Sequence, residues 1–130
     1  MTNQGDSLVE VVVAVAIISV VVLALIRVTT LAVNNATFAK NQATATNYAR
    51  ESLEDARQLK EVLGDSTFFA PAGLSQCNKI DTVGSFSRRR TCSLTGSPPL
   101  LDSLMEITVV VSWDSHAHQS RLETTLAKWK

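Results

Sequence analysis

Residues 11–26 contain no charged side chain. That run limits the chain more than any other stretch. A helix that crosses a bilayer needs about 20 mostly apolar residues. Residues 6–26 supply that length, and at ~1.5 Å per residue they cover ~30 Å, the thickness of an average hydrocarbon core. The run is rich in Val and Ile, which favour strands in water. In lipid each backbone amide must be satisfied within its own segment, so helix is favoured there. Ser19 fits because its hydroxyl can bond a carbonyl one turn earlier. Arg27 can snorkel to the interface at the far end. Glu10 stands apart, because acids in spanning segments are rare and usually paired. Two readings fit it: solvation in the headgroup zone, or pairing with the terminal amine of a neighbouring copy cut after Gly5.

Gly5-Asp6-Ser7-Leu8-Val9-Glu10, set before this apolar run, resembles the class III signal of type IV pilins and type II secretion pseudopilins. The resemblance implies cleavage by a prepilin peptidase between Gly5 and Asp6, and methylation of the new terminus on Asp6. It implies that Glu10 pairs with the terminal amine of an adjacent subunit during assembly. Leu8 and Val9 match the aliphatic pair before the glutamate, and Ser7 a small hydroxyl residue. Asp6 stands where the family usually has Phe or Met, and residues 1–5 carry no basic side chain. Asp6 suits a minor subunit better than the main building block of a filament. Residues 107–129 are also similar to minor pilins of the V type. The partners implied are other pilin subunits through the N-terminal helix, the peptidase, an inner-membrane assembly platform and membrane lipid. The location implied is the cytoplasmic membrane, with the C-terminal domain outside the cytoplasm. Two alternatives stay open: insertion in the opposite sense, because Arg27 and Lys40 follow the run, and a secretory signal cut near Ala32 or Ala36.

The remaining residues predict an α+β unit: one long helix packed on a small antiparallel sheet. The division expected is a leader (residues 1–5), a transmembrane helix (6–27), an amphipathic extension (28–63) and a small disulfide-closed β domain (64–130). Asn34 and Asn35 are poor helix formers and mark a weak point. Ala45, Ala49, Leu53, Ala56, Leu59 or Lys60, and Leu63 form a stripe at helical spacing, with Arg50, Glu51, Glu54, Asp55 and Arg57 opposite. A helix over residues 7–63 would be ~85 Å long. Gly64 suits a left-handed stop. Residues 65–82 read as a loop, anchored by Phe68 and Phe69. Phe86, Arg88, Arg90, Cys92 and Leu94 alternate with polar residues as a strand. Gly96-Ser97-Pro98-Pro99 breaks that run. In the next strand Met105, Ile107, Val109, Val111 and Trp113 share a face. Asp114-Ser115-His116 turns the chain into a return strand with Leu122, Thr124 and Leu126 inward. This hairpin is expected at the centre of the sheet, with Trp129 stapled to the core.

Composition limits the chemistry. Twelve basic and twelve acidic side chains cancel, so no net field favours nucleic acid. The two cysteines, Cys77 and Cys92, read either as a disulfide closing a small domain or as two buried thiols. His116 and His118 lack the spacing and third ligand of a metal site, so they read as turn histidines. No phosphate-binding glycine loop or nucleophile–base pattern occurs, so neither catalysis nor a cofactor is expected. Arg88-Arg89-Arg90 is the one basic cluster. Alternation puts Arg89 on the face opposite Arg88 and Arg90. Contact with DNA phosphates, an acidic partner or lipid headgroups is one reading. A solvated edge strand, kept from pairing by its charges, is the other.

Overall fold

The computed structural model describes residues 4–95 and 104–128. Helix α1 runs Gln4–Phe68 and helix α2 Pro71–Cys77. Strands β1 (Lys79–Val83), β2 (Phe86–Thr95), β3 (Leu104–Trp113) and β4 (His118–Ala127) form one antiparallel sheet in the order β1-β2-β3-β4. This is the α+β class expected from the sequence. The chain divides into two compact units, Met1–Ala39 and Lys40–Lys130.

The described part of the first unit is helix alone. From Leu8 to Val33 its Val, Leu and Ile side chains are exposed on every side, and the most apolar window has no buried residue. It is the one span among the described residues long and apolar enough to cross a membrane. The hydroxyls of its described side chains are satisfied within the helix. Ser19 donates to the Val15 carbonyl at 2.7 Å, Thr29 to Leu25 at 2.8 Å, Thr30 to Ile26 at 2.9 Å and Thr37 to Val33 at 3.0 Å. The helix continues through Asn34 and Asn35, so the expected weak point is not a break.

The second unit holds the core. Ala45, Ala49 and Ala56 of α1 are fully buried against Met105, Ile107, Val109 and Val111 of β3, with Phe68, Phe69, Phe86 and Trp113 around them. The stripe therefore faces the sheet, and Ser52, absent from the predicted stripe, is buried with it. Small side chains on this face leave room for long side chains of the sheet to reach the helix backbone.

Several expectations need correction. Residues 65–82 are not a loop. Gly64 has φ +71° and ψ 159°, a break in dihedrals after which α1 resumes to Phe68. Phe68 and Phe69 then enter the core, as expected. Pro71 opens α2, where its missing N–H costs nothing. Gly73 packs against the backbone of Phe68, and a Cβ there would collide with the Phe68 carbonyl. Strand β1 follows and joins β2 through Gly84-Ser85. The β3–β4 hairpin is not central: β2 and β3 are the inner strands and β4 is an edge. Nor does the arginine run lie on an edge, because β2 is paired on both sides. The 96–99 break and the Trp129 staple lie outside the described residues.

Cys77 of α2 is bonded to Cys92 of β2, 15 residues on. Of the two readings of the cysteines, the bridge is the one realised. Closing a loop of that size restricts the unfolded chain by about 3 kcal/mol. We expect Cys77→Ser with Cys92→Ser to lower stability by about that amount. Chemical denaturation of the full chain in detergent, followed through Trp113 fluorescence, checks it. A loss below about 1 kcal/mol would mean the core alone holds α2 in place.

Candidate functional site

Two regions carry the residues singled out by sequence. The first is the start of α1. Gly5 and Asp6 have helical backbone, and the Asp6 side chain lies outside the described part. Glu10 is on the exposed helix surface, immediately before the uncharged run of residues 11–26. Its carboxylate thus belongs to a segment with no core of its own.

The second region is the arginine run on β2. Strand alternation splits it as expected. Arg88 and Arg90 point under α1 and are buried, at 6% and 5% exposure, whereas Arg89 faces outward. Arg88 makes a two-pronged contact with Asp81 of β1: Nε donates to Oδ1 at 2.9 Å and Nη2 to Oδ2 at 2.6 Å. Its Nη1 donates to the Tyr48 carbonyl of α1 at 3.3 Å and lies 3.6 Å from the Glu51 carboxylate. Arg90 donates from Nε to the Cys77 carbonyl at 2.7 Å and from Nη1 to the Ser52 carbonyl at 2.8 Å. Two of the three arginines are therefore committed inside the chain, and an outside anion can reach Arg89 alone.

The electrostatics follow from these contacts. The Arg88 hydrogen bonds hold the Asp81 carboxyl below its ordinary value of 3.8, against a smaller opposing effect of burial. Asp81 in turn raises Arg88 above the usual arginine range. Arg90 is pulled down by burial, since carbonyls rather than a carboxylate receive it. Arginine keeps its charge in proteins, so both guanidinium groups act as fixed donors.

The histidines do not converge. His118 lies against the Trp113 ring, with centroids 5.7 Å apart, and its Nε2 is 3.9 Å from Asp114. His116 lines a hollow on the outer sheet face. Among the described residues no group of three His, Cys, Asp or Glu could hold a metal ion.

The sequence missed Asp81 as the partner of Arg88. The available signal was Gly84-Ser85, a two-residue hairpin pair. Taken as a turn, it pairs Asp81 with Arg88 in register. No protein-family model, curated protein or solved structure matches this chain.

Asp81 sets an acid limit. Its folded carboxyl titrates below the unfolded one, so its contribution is complete above about pH 4 and disappears as pH falls through the folded value. We expect Asp81→Asn to cost about 2 kcal/mol at neutral pH, by leaving Arg88 with only the longer contact to the exposed Glu51 carboxylate. The variant should also lose stability less steeply than the native chain between about pH 5 and pH 3. Denaturation midpoints measured across that range test both. Parallel curves would show that other carboxylates govern the acid limb.

Proposed function

We propose that this chain is a minor pilin or pseudopilin: a structural subunit cut after Gly5, methylated on Asp6, and taken up into a type IV pilus-like filament. The observation that carries the reading is the helix of residues 8–33. It is apolar on every side, has its hydroxyls bonded inward, and carries one acid, Glu10, near its start. Such a surface has two stable surroundings, lipid and like helices. A subunit that waits in a membrane and then joins a bundle uses both. The resemblance of residues 5–10 to the prepilin signal supports the same reading, as does a small disulfide-closed domain, which belongs in an oxidising compartment.

In this proposal Glu10 supplies the assembly charge. Cleavage leaves an amine on Asp6, one turn before Glu10. Between helices shifted along their axes, Glu10 of one copy meets the amine of the next. An unpaired carboxylate in hydrocarbon costs several kcal/mol, so pairing favours one register of entry. In this reading the second unit lies outside the cytoplasm, which the cysteine bridge supports, and the chain's work is assembly rather than catalysis. The alternative is a membrane-tethered binding domain that never polymerises. A DNA receptor built on the arginine run has little support, because Arg88 and Arg90 face inward.

Two measurements separate the readings. Mass spectrometry of the protein from its native membrane should find a terminus at Asp6 bearing a methyl group; an intact Met1 favours the tether. Glu10→Gln should be cut normally yet enter filaments at least about tenfold less, the loss expected for an interaction of about 1.4 kcal/mol or more. Full incorporation of that variant would remove Glu10 from its assigned role.

A further inference from the structure

The sheet face opposite α1 carries a hollow of about 290 Å³, lined by Ser87, Arg89, Val110, Ser112, His116 and Gln119. The lining comes from β2, β3, β4 and the turn before β4. Register brings it together: Ser87 lies opposite Ser112, Ser112 opposite Gln119, and Arg89 opposite Val110. Five of the six side chains can donate a hydrogen bond, and none is a carboxylate.

Arg89 is the cation of this hollow. Its cross-strand neighbours on that face are Ile80 and Val110, both apolar. Unlike Arg88, Arg57 and Arg121, it has no ion-pair partner among the described residues. The next arginine in the row, Arg121, is taken by Glu123. One guanidinium fork therefore stands without a carboxylate among hydrogen-bond donors, which is the arrangement an oxyanion needs.

The turn supplies a second, independent sign. Asp114, Ser115 and His116 have φ of +54°, +52° and +72°. Glycine adopts such backbone without penalty, and L side chains do not. Three successive side chains are nevertheless kept there, and the third lines the hollow. Strained backbone of this kind concentrates at ligand sites.

We propose that this hollow binds a single phosphate group, with Arg89 as the principal charged partner and Ser87, Gln119 and His116 as further donors; the Ser112 hydroxyl, which donates to the Ser87 carbonyl at 3.5 Å, turns to join them. Phosphate fits better than carboxylate because the donors come from three strands and a turn. A tetrahedral group directs oxygens toward several of them at once, whereas a carboxylate offers two oxygens in one plane. Val110 forms an apolar floor. The site stands whether or not the chain assembles into a filament.

The test uses the full chain in an uncharged maltoside detergent. Inorganic phosphate is titrated at constant ionic strength, with acetate in parallel, while the Arg89 guanidinium and His116 ring resonances are followed. Phosphate should give saturable shifts, with acetate weaker by roughly tenfold. Arg89→Gln should abolish saturation. His116→Gly, which suits the backbone, should weaken binding several-fold without loss of thermal stability. Arg121→Gln, outside the lining, should leave binding unchanged. Linear shifts, equal response to acetate, or saturation that survives Arg89→Gln would overturn the proposal. Competition then identifies the source of the phosphate. Displacement by a short oligothymidylate points to nucleic acid, and displacement by dihexanoyl phosphatidylglycerol to lipid. Binding that neither displaces points to the free ion.

Discussion

Two buried guanidinium groups hold strand β2 to the long helix. Arg88 and Arg90 stand two residues apart on a strand, a repeat of ~6.6 Å. The carbonyls they reach, Tyr48 and Ser52, stand four residues apart on a helix, a rise of ~6 Å. The two spacings nearly match, so successive arginines on one face of β2 meet successive turns of α1. Helix carbonyls already accept one bond within the helix, and the arginines use the second lone pair. Alanines make this possible. With Ala45, Ala49 and Ala56 on the facing stripe, the backbone of α1 lies within reach of side chains that begin on the sheet. Larger residues there would fill the space the guanidinium groups cross.

The clamp also ties together parts far apart in sequence. Through Arg88 it reaches Asp81 on β1, and through Arg90 the carbonyl of Cys77, whose sulfur is bonded to Cys92 two residues further along β2. The Asn78 side chain accepts the Cys92 amide at 2.8 Å. One short stretch, from Cys77 to Asp81, is therefore fixed to β2 by a covalent bond, by charge and by hydrogen bonds. The apolar core of this unit is small, and polar groups with directional partners supply order that apolar area alone would not.

Much of this was legible from residue order, and the failures have a physical pattern. The α1 stripe, the burial of Phe68 and Phe69, and the alternation on β2, β3 and β4 follow from periodicity, which reports burial directly. The boundary at Gly64 was half right: a positive φ is there, yet the helix resumes because two phenylalanines draw the chain back to the core. Strand β1 was missed because Lys79-Ile80-Asp81-Thr82-Val83 inverts the usual rule. Its exposed apolar residue, Ile80, faces outward, and the inward Asp81 is a carboxylate. Hydrophobic alternation has no means of recording a position stabilised by a cation on the next strand. The same gap hid the inward turn of Arg88 and Arg90, since charge alone reads as surface. Ser52 escaped the stripe for the related reason that its role is carried by its carbonyl.

The shortness of β1 leaves its hold on the sheet to two staples, the Cys77–Cys92 bridge just before it and the Asp81–Arg88 pair within it. It is a five-residue rim strand laid against one neighbour, and its inner side is anchored by Asp81 rather than by a fully buried apolar residue. Such strands fray at a fraction of the free energy needed for global unfolding. Once those staples are broken and β1 lifts away, β2 becomes the margin of the sheet, and the N–H and C=O groups that face β1 become available to any passing strand. The amides of β3, enclosed between two ten-residue neighbours, stay protected meanwhile. The sheet is thus graded from a labile rim to a slow-exchanging interior, and its most reactive latent surface is the one the short strand covers.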